Sequence, residues 1–398
     1  MTSSSPPADI AAQSAGADAS HAAAAQRQAA PAQNQPDGLV IVAHNGAAIF
    51  GGAERALLRL LQGLHARGHR VTLCCNHDIV LDAALERGVA ALKMPLHGDV
   101  MLGDAVRFAR FLRRHRPDAV IFGTFKKIWL GGLAVALAPV PHTIARVGLA
   151  SDTPRSAKYR FVLRRWIDTI VLNAEAMRAD FIRGMPELDA RIVVIHNGVP
   201  RPDVTASAQA VRSALAIPDG AVVVGAVARL ATQKRLERLV EAVALLPDHV
   251  HGVIVGEGAE RHAIEAATGH HGVSRRVHLV GHQENAGAYL AALDVFVVCS
   301  DQEGMSNAML EALAAGVPVV STPVSGAAEA LGPLADGGYP GIITPGFAAA
   351  DIADALRPLV LDAPLRMDMA AAATRAAGRF SLDHMIDAWD RLLRQGAA

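Results

Sequence analysis

Short apolar runs alternate with longer amphipathic stretches along most of this chain, and this alternation limits the folds that are open to it. Each run suits a buried strand, and each intervening stretch is long enough for a helix that crosses to a parallel neighbour. The runs occupy residues 39–44, 70–76, 89–94, 119–123, 142–147, 169–173 and 192–196, and then 221–227, 252–256, 277–281, 295–300 and 317–321. The order predicts a doubly wound α/β fold with parallel sheets.

A turn-rich stretch at 196–203 interrupts the alternation and divides the chain into two predicted Rossmann-like domains, 38–200 and 201–380. Two such domains in tandem leave a cleft between the carboxyl ends of their strands, where small ligands bind. The predicted helix at 381–395 has an apolar face that must pack on another element. Its apolar positions are Met385, Ile386, Trp389, Leu392 and Leu393.

The first 37 residues are rich in Ala, Ser, Pro and Gln and contain no aromatic residue, so we expect a disordered tail. They lack a basic start followed by an apolar core, which argues against a signal or transit peptide. The longest apolar run, at 128–138, is too short to span a bilayer. The three cysteines, Cys74, Cys75 and Cys299, have no metal-ligand spacing and lie in apolar stretches, which favours buried thiols in a reducing cytoplasm.

Charge is divided unequally between the halves of this formally neutral chain. Residues 38–200 hold 22 Lys and Arg against 13 Asp and Glu (+9), whereas 201–398 hold 15 against 22 (−7). Two interpretations stay open: solvated helix faces, or attraction to an anionic membrane or acceptor. Nucleic acid is disfavoured, because no aromatic residues interleave with the basic ones. The basic residues concerned are Arg107, Arg110, Arg113, Arg114 and Arg116, which share one predicted helix, and Lys126, Lys127, Arg155, Lys158, Arg160, Arg164 and Arg165.

Two carboxylates flank the start of a predicted helix at 306–315 that follows the apolar run ending at residue 300. Glu303 precedes this helix and Glu311 lies one to two turns inside it. Alone, either could be an ordinary helix glutamate. At the carboxyl end of a parallel strand, however, one can accept hydrogen bonds from a sugar and the other from a ribose diol. The free N–H groups of the helix start, with the loop residues Gly304, Met305, Ser306 and Asn307, would face a phosphate.

Two cations follow the first strand of the second domain. Arg229 comes at its end and Lys234 five residues later at a helix start. A cation at a helix N-terminus opposes the helix dipole, so its placement calls for an explanation. A bound diphosphate supplies one, because both cations would neutralise the charge that grows on a leaving group.

Gly51 and Gly52 follow the first strand of the chain and open a helix, so that backbone N–H groups can approach an anion. A plain tight turn explains them equally well. The pair lacks the third glycine of a dinucleotide fingerprint and the Lys-Ser/Thr of a P-loop, which argues against a nicotinamide cofactor or ATP hydrolysis. The sequence also lacks a Gly-x-Ser-x-Gly elbow, a helical His pair with a nearby acid and an Asp-x-Asp cluster. We therefore expect no metal and no other cofactor.

The spacing of Glu303 and Glu311, together with Arg229, Lys234 and the glycine pair, resembles the signature of retaining glycosyltransferases of family 4. The resemblance runs from about residue 40 to the C-terminus. It implies the GT-B fold, in which a first Rossmann-like domain for the acceptor and a second for the nucleotide-sugar donor face a cleft, and the last helix packs back on the first. One departure is Arg235, where the family usually has glycine.

The resemblance also implies roles for further residues. The loops at Gly256 and Gly258, and at Val280 and His282, would hold the sugar and the nucleobase. Members of the family often have a histidine near the reacting sugar, where this chain has Arg146. We take Arg146 as a candidate for the acceptor or the phosphates, with a structural role equally open. For His44, at the end of the first strand, a ligand-binding role and a structural role are likewise equally open.

The implied reaction moves a sugar from a UDP-, GDP- or ADP-sugar to a hydroxyl of a glycan or lipid-linked acceptor, with retention at the anomeric carbon. Cell-surface polysaccharide or lipopolysaccharide synthesis, in the cytoplasm or at the inner face of the membrane, is the expected setting. Glu303, Arg229 and Lys234 are the candidate catalytic residues, with Glu311 on the ribose. Two alternatives remain: a sugar-nucleotide epimerase of the same fold, and a protein that binds nucleotide sugars without turnover.

Overall fold

Two parallel sheets form the framework of the protein. The computed structural model describes residues 38–97, 101–125, 128–149, 156–201 and 208–397. The first sheet has the order β3-β2-β1-β4-β5-β6-β7 and the second the order β10-β9-β8-β11-β12-β13. The first consists of β1 (Val40–Asn45), β2 (Arg70–Cys75), β3 (Ala91–Lys93), β4 (Ala119–Phe122), β5 (His142–Val147), β6 (Thr169–Leu172) and β7 (Ile192–Val194). The second consists of β8 (Val222–Val227), β9 (Val250–Val255), β10 (Val277–Gly281), β11 (Val295–Val298), β12 (Val319–Ser321) and β13 (Gly341–Ile343).

Helices connect successive strands, as doubly wound sheets require. Those of the first half are α1 (Gly52–Ala66), α2 (Asp78–Glu86), α3 (Leu102–His115), α4 (Ile128–Leu137), α5 (Ala157–Trp166) and α6 (Arg178–Ile182). Those of the second half are α7 (Ala208–Ala214), α8 (Glu237–Ala244), α9 (Arg261–His270), α10 (Ala286–Ala291), α11 (Asn307–Ala314), α12 (Ala327–Leu331), α13 (Ala349–Leu361), α14 (Ala363–Ala377) and α15 (Leu382–Ala397). The predicted α/β class is confirmed.

We call the part that builds the first sheet the first domain and the part that builds the second sheet the second domain. The sheets change between β7 and β8, on either side of residue 200. The predicted tail at 1–37 and the basic residues Lys126, Lys127 and Arg155 lie outside the described residues. Among the helices described, none is long and apolar enough to cross a membrane.

Helix α1 shows how the apolar pattern produces the core. Leu57, Leu60, Leu61 and Leu64 recur at the spacing of one helix face, and each is buried. The strands beneath it are also buried, as expected when helices cover a parallel sheet. The thiols of Cys74, Cys75 and Cys299 are buried and free. Burial, the largest cause in each case, raises the pKa of Cys75 to about 11 and that of Cys299 to about 12.

The last helix, α15, returns to the first domain. Its Ile386 packs so closely on Gly63 of α1 that a Cβ on that glycine would lie 2.0 Å from Ile386 Cδ1. The buried His69 contacts Asp390 at 2.7 Å, and Trp389 is 1% exposed in the same cluster. This is the packing that the family resemblance implies.

The structure differs from the sequence expectations at two places in the fold. Strand β13 was not predicted, because its three residues lie within a stretch rich in Gly and Pro; a Cβ on Gly341 would meet Val319 O at 2.2 Å. Arg116 was placed on the helix with the other basic residues. It lies beyond the end of α3 in the left-handed region, with φ 45°.

Candidate active site

The predicted site residues come from loops at the carboxyl ends of strands in both sheets. Arg229 follows β8, Gly256 follows β9 and Glu303 follows β11, while Gly51 precedes α1 and Gly52 is its first residue. The two domains meet directly at these loops: a Cβ on Gly304 would lie 2.2 Å from Gly148 O and 2.6 Å from Asn173 Oδ1. Gly304 therefore has to be glycine for the domains to approach this closely.

Glu303 and Lys234 form an ion pair in the second domain. The Glu303 carboxylate is 8% exposed; its Oε1 accepts a hydrogen bond from Ser300 Oγ at 2.7 Å and one from Lys234 Nζ. A backbone hydrogen bond from Asp301 to Gln233 O, at 3.0 Å, joins the two loops that carry them. Lys234 can therefore form an ion pair either with Glu303 or with an anionic ligand.

Arg229 is exposed on the loop after β8. Within the described part of the chain its side chain makes no hydrogen bond or ion pair that would hold it back from a ligand. Two glycines let the neighbouring loop pack under it: a Cβ on Gly256 would meet Ala228 O at 1.9 Å, and one on Gly258 would meet Leu230 O at 2.1 Å. Both have φ values, 141° and 159°, that other residues rarely adopt.

Glu311, on the second turn of α11, is paired with a residue from the other domain. Arg59 Nη1 donates to Glu311 Oε1 at 2.9 Å, and both side chains are about four-fifths buried. Glu311 Oε2 has no hydrogen bond to a described residue, so one acceptor oxygen remains available to a ribose hydroxyl. Arg59 was not among the predicted site residues.

The start of α11 joins a chain of amides that crosses the cleft. Ser306 caps the helix by accepting from Met309 N at 3.5 Å. Asn307 Nδ2 donates to Gly52 O at 2.8 Å, and Asn307 Oδ1 accepts from Asn197 Nδ2 at 2.9 Å. Asn307 thus connects the domains in this structure.

Arg146, near the end of β5, extends this series of hydrogen bonds by donating to Asn197. Its Nη2 donates to Asn197 Oδ1 at 3.0 Å and its Nη1 to Ala53 O at 3.5 Å. The side chain is buried; burial lowers the pKa of Arg146, and the negative charge of Glu54 acts in the opposite direction. A buried guanidinium beside the glycine pair can attract an anion in the cleft.

The backbone N–H of Gly51, predicted to be open to an anion, is already hydrogen-bonded within the protein. Gly51 N donates to Glu54 Oε2 at 3.0 Å. A ligand phosphate would therefore have to displace Glu54 to use this N–H group. The predicted contact by Gly51 is open to a ligand only after that exchange.

The predicted nucleobase loop lies at the end of β10. Val280 is half-buried, and its carbonyl accepts from Gln283 Nε2 at 2.9 Å, while His282 is exposed. Met305 is buried next to Gly326.

Among the residues described, no group of three or more His, Cys, Asp or Glu side chains is placed to hold a metal ion.

Four residues at the domain contact escaped the sequence analysis: Arg59, Asn197, His196 and Glu329. His196 and Asn197 were noted only as part of the turn-rich boundary, and nothing in the spacing of Arg59 or Glu329 pointed to a partner in the other domain. Their partners in the other domain are more than 100 residues away in the chain, so only the fold brings them together.

Comparison with known proteins decides the family. Residues 50–201 match the family model described as Glycosyltransferase Family 4, and residues 207–376 match the one described as Glycosyl transferases group 1. The chain belongs to glycosyltransferase family 4. It is a glycosyltransferase, as the sequence motifs indicated.

Two relatives illustrate the family match. The lipopolysaccharide core biosynthesis glycosyltransferase LpsE of Rhizobium meliloti (strain 1021) is 29% identical over 348 residues, which are 86% of this chain and 96% of LpsE. The D-inositol 3-phosphate glycosyltransferase of Corynebacterium jeikeium (strain K411) is 30% identical over 278 residues, 64% of this chain and 65% of that protein.

Solved structures show the same architecture. The crystal structure of Anabaena HepE, in complex with UDP and glucose, superposes with a TM-score of 0.79 at 19% identity and covers 90% of this chain and 100% of that one. The predicted GT-B fold of this family 4 enzyme is confirmed.

Proposed function

We propose that this enzyme transfers a sugar from a nucleoside diphosphate sugar to a hydroxyl group, with retention at the anomeric carbon. The observation that carries the proposal is the placement of Arg229, Lys234 and Glu303 after the neighbouring strands β8 and β11, with Glu311 on α11 facing the first domain. Two cations suit a diphosphate, and two carboxylates suit the hydroxyls of a sugar and a ribose. The UDP and glucose in the HepE complex support this class of donor.

In the proposed reaction the bond between the anomeric carbon and the diphosphate oxygen breaks. The acceptor oxygen bonds to the same face of that carbon, and its proton passes to the departing diphosphate. Arg229 and Lys234 take up the charge that develops on the leaving group, so Lys234 exchanges Glu303 for phosphate. Glu303 is then free to accept from sugar hydroxyls, and Glu311 from the ribose.

We further propose that the transfer needs no metal ion or other cofactor, since these two cations can stabilise the leaving diphosphate themselves. Assays in an excess of EDTA test this directly. We expect an unchanged transfer rate; loss of activity that is restored by Mg²⁺ or Mn²⁺ would contradict the proposal.

The donor can be identified by a thermal-shift screen of UDP, GDP, ADP and their sugars. A ligand at 100 times its dissociation constant adds about 2.7 kcal/mol to the free energy of unfolding, which raises the melting temperature measurably. We expect one base to stand out. If none of them stabilises the protein, the proposed donor class is wrong.

An incubation with the stabilising sugar nucleotide alone separates transfer from epimerisation. A transferase leaves the sugar configuration unchanged, whereas an epimerase converts it without an acceptor. Binding without turnover across donors and acceptors would instead indicate a non-catalytic protein.

We also propose that the acceptor is a glycan or lipid-linked intermediate of surface polysaccharide or lipopolysaccharide, reached by peripheral contact with an anionic membrane at the cytoplasmic face. The LpsE relative supports the pathway class. Helix α3 supports the contact, because Met101, Leu102 and Val106 are exposed beside a row of exposed arginines.

Liposome flotation tests the membrane contact. We expect the protein to float with anionic vesicles but not with neutral ones, and expect Arg110→Glu/Arg114→Glu to reduce the difference, since each basic residue near such a surface adds roughly 1 kcal/mol. Arg183→Glu, at an exposed position on the loop after α6, is the control. Equal flotation with both lipids would contradict the contact.

A further inference from the structure

Glu329 of α12, in the second domain, is held entirely by groups of the first domain. Its Oε2 accepts from Glu175 N at 2.9 Å and its Oε1 from Ala176 N at 2.9 Å. His196 Nε2 contacts Oε2 at 2.7 Å. The carboxylate therefore joins the two domains through three hydrogen bonds.

The environment of Glu329 keeps it ionised. Burial by itself would raise the pKa of Glu329, but the hydrogen bonds from His196 and from the Ala176 and Glu175 amides outweigh burial, and the pKa is lowered. Hydrogen bonds to an ionised carboxylate are roughly twice as strong as those between neutral groups. These contacts consequently favour the arrangement in which the domains touch.

The same short helix is fixed to the loop that carries Glu303. Gly326, which precedes the first residue of α12, donates its N–H to Gly304 O at 2.7 Å. A Cβ on Gly326 would lie 2.4 Å from Gly304 O and 2.9 Å from Met305 Cα, so helix and loop cannot separate without opening a close backbone contact. Gly304 in turn approaches Gly148 O of the first domain.

We infer that Glu329 is a positioning residue for the transfer: by binding the first domain it closes the cleft, and through Gly326 and Gly304 it sets Glu303 opposite the first domain, where the acceptor would bind. The inference rests on the proposed function. Glu329 does not touch the residues proposed to bind the diphosphate, so its removal leaves donor binding intact and slows the step that needs both domains.

The test compares Glu329→Ala and His196→Ala with wild type and with Glu265→Ala. Glu265 is a matched control, because its ion pairs with Arg261 and His262 stay within α9. Calorimetric titrations with UDP, GDP and ADP give nucleotide affinity, and steady-state assays give kcat. Small-angle scattering with the bound nucleotide reports the radius of gyration.

We expect Glu329→Ala to lower kcat by at least about tenfold while the nucleotide Kd stays within about threefold, because the closed population falls. His196→Ala removes one of the three hydrogen bonds, so its loss is smaller and in the same direction. The radius of gyration should increase in Glu329→Ala and remain unchanged in Glu265→Ala.

An unchanged kcat in folded Glu329→Ala would overturn the inference, as would a weakening of nucleotide binding equal to the loss of kcat. If Glu329→Ala fails to fold, the kcat of His196→Ala decides between the same results. A wild-type protein that neither binds nucleotide nor transfers sugar would refute the proposed function, which is a separate outcome.

Discussion

The second-domain wall of the cleft is held by contacts within its own domain, whereas the first-domain wall is joined to the other domain. Glu303 pairs with Lys234 across 69 positions, yet both residues belong to the second domain. On the other wall, Arg146 donates to Asn197, which in turn donates to Asn307 of the second domain. The donor wall is thus held within one domain, and the opposite wall depends on the contact between the domains.

This difference suggests a division of labour. A wall whose contacts lie within one domain can bind the constant part of the reaction, the diphosphate and its sugar, with little dependence on the other domain. A wall held through the domain contact can adapt to the acceptor, which varies among glycosyltransferases. Substitutions should therefore have their largest effect at the donor wall and smaller effects at the opposite one.

The largest effect is expected at Lys234. Lys234→Ala should lower the transfer rate by about 100-fold or more, because the departing diphosphate loses a preorganised cation. Lys93→Ala is the control, since Lys93 forms an exposed ion pair with Asp78 at the edge strand β3 of the first sheet. Steady-state assays of both variants are the measurement, and a Lys234→Ala rate within threefold of wild type would show that this wall does not bind the leaving group.

A smaller effect is expected at Arg146 on the opposite wall. Arg146→Ala should lower transfer by about tenfold, because Asn197 loses its hydrogen-bond donor and the bridge to Asn307 loosens. Arg146→His, which restores the residue common in the family, should retain more activity than Arg146→Ala. Arg183→Ala is the matched control, and equal rates for Arg146→Ala and wild type would assign Arg146 no part in the reaction.

The smallest effects concern one strained residue in each domain. Arg116 and Arg235 both adopt left-handed φ values, 45° and 50°. Arg116→Gly should raise the free energy of unfolding by about 0.5–1 kcal/mol, since relief of left-handed strain exceeds the added chain entropy. Arg235→Gly should change it by roughly 0.5 kcal/mol or less, because its pairs with Glu237 and Asp301 are lost. Denaturant titrations measure both, and a destabilised Arg116→Gly would contradict the strain argument.

Much of the fold followed from the sequence because strand length and helix periodicity are local properties. Strand β5 occupies the predicted range and is buried along its whole length, while β13 was missed because three residues among glycines give no periodic signal. Arg235 was recognised as a departure from the family's glycine, and its left-handed backbone explains why glycine suits the position.

The candidate site could be predicted only in part, for the same reason. Spacing identified Glu303, Glu311, Arg229 and Lys234, whose roles remain predictions. It could not reveal that Arg59 pairs with Glu311 or that Glu329 binds the first domain. In each contact the two residues are more than 150 positions apart, and they meet only because the domains pack together. Long-range electrostatic partners depend on the closed cleft, which no local pattern encodes.

The most direct test of the account is the transfer rate of Arg229→Ala and Glu311→Ala at saturating donor. Arg357→Ala is the control, because Arg357 pairs with Asp354 within α13. We predict that each site variant loses at least about 100-fold in rate while it remains folded, as expected when groups that stabilise the transition state are removed. Turnover close to that of the wild type in both folded variants would contradict the central claim that this wall holds the donor.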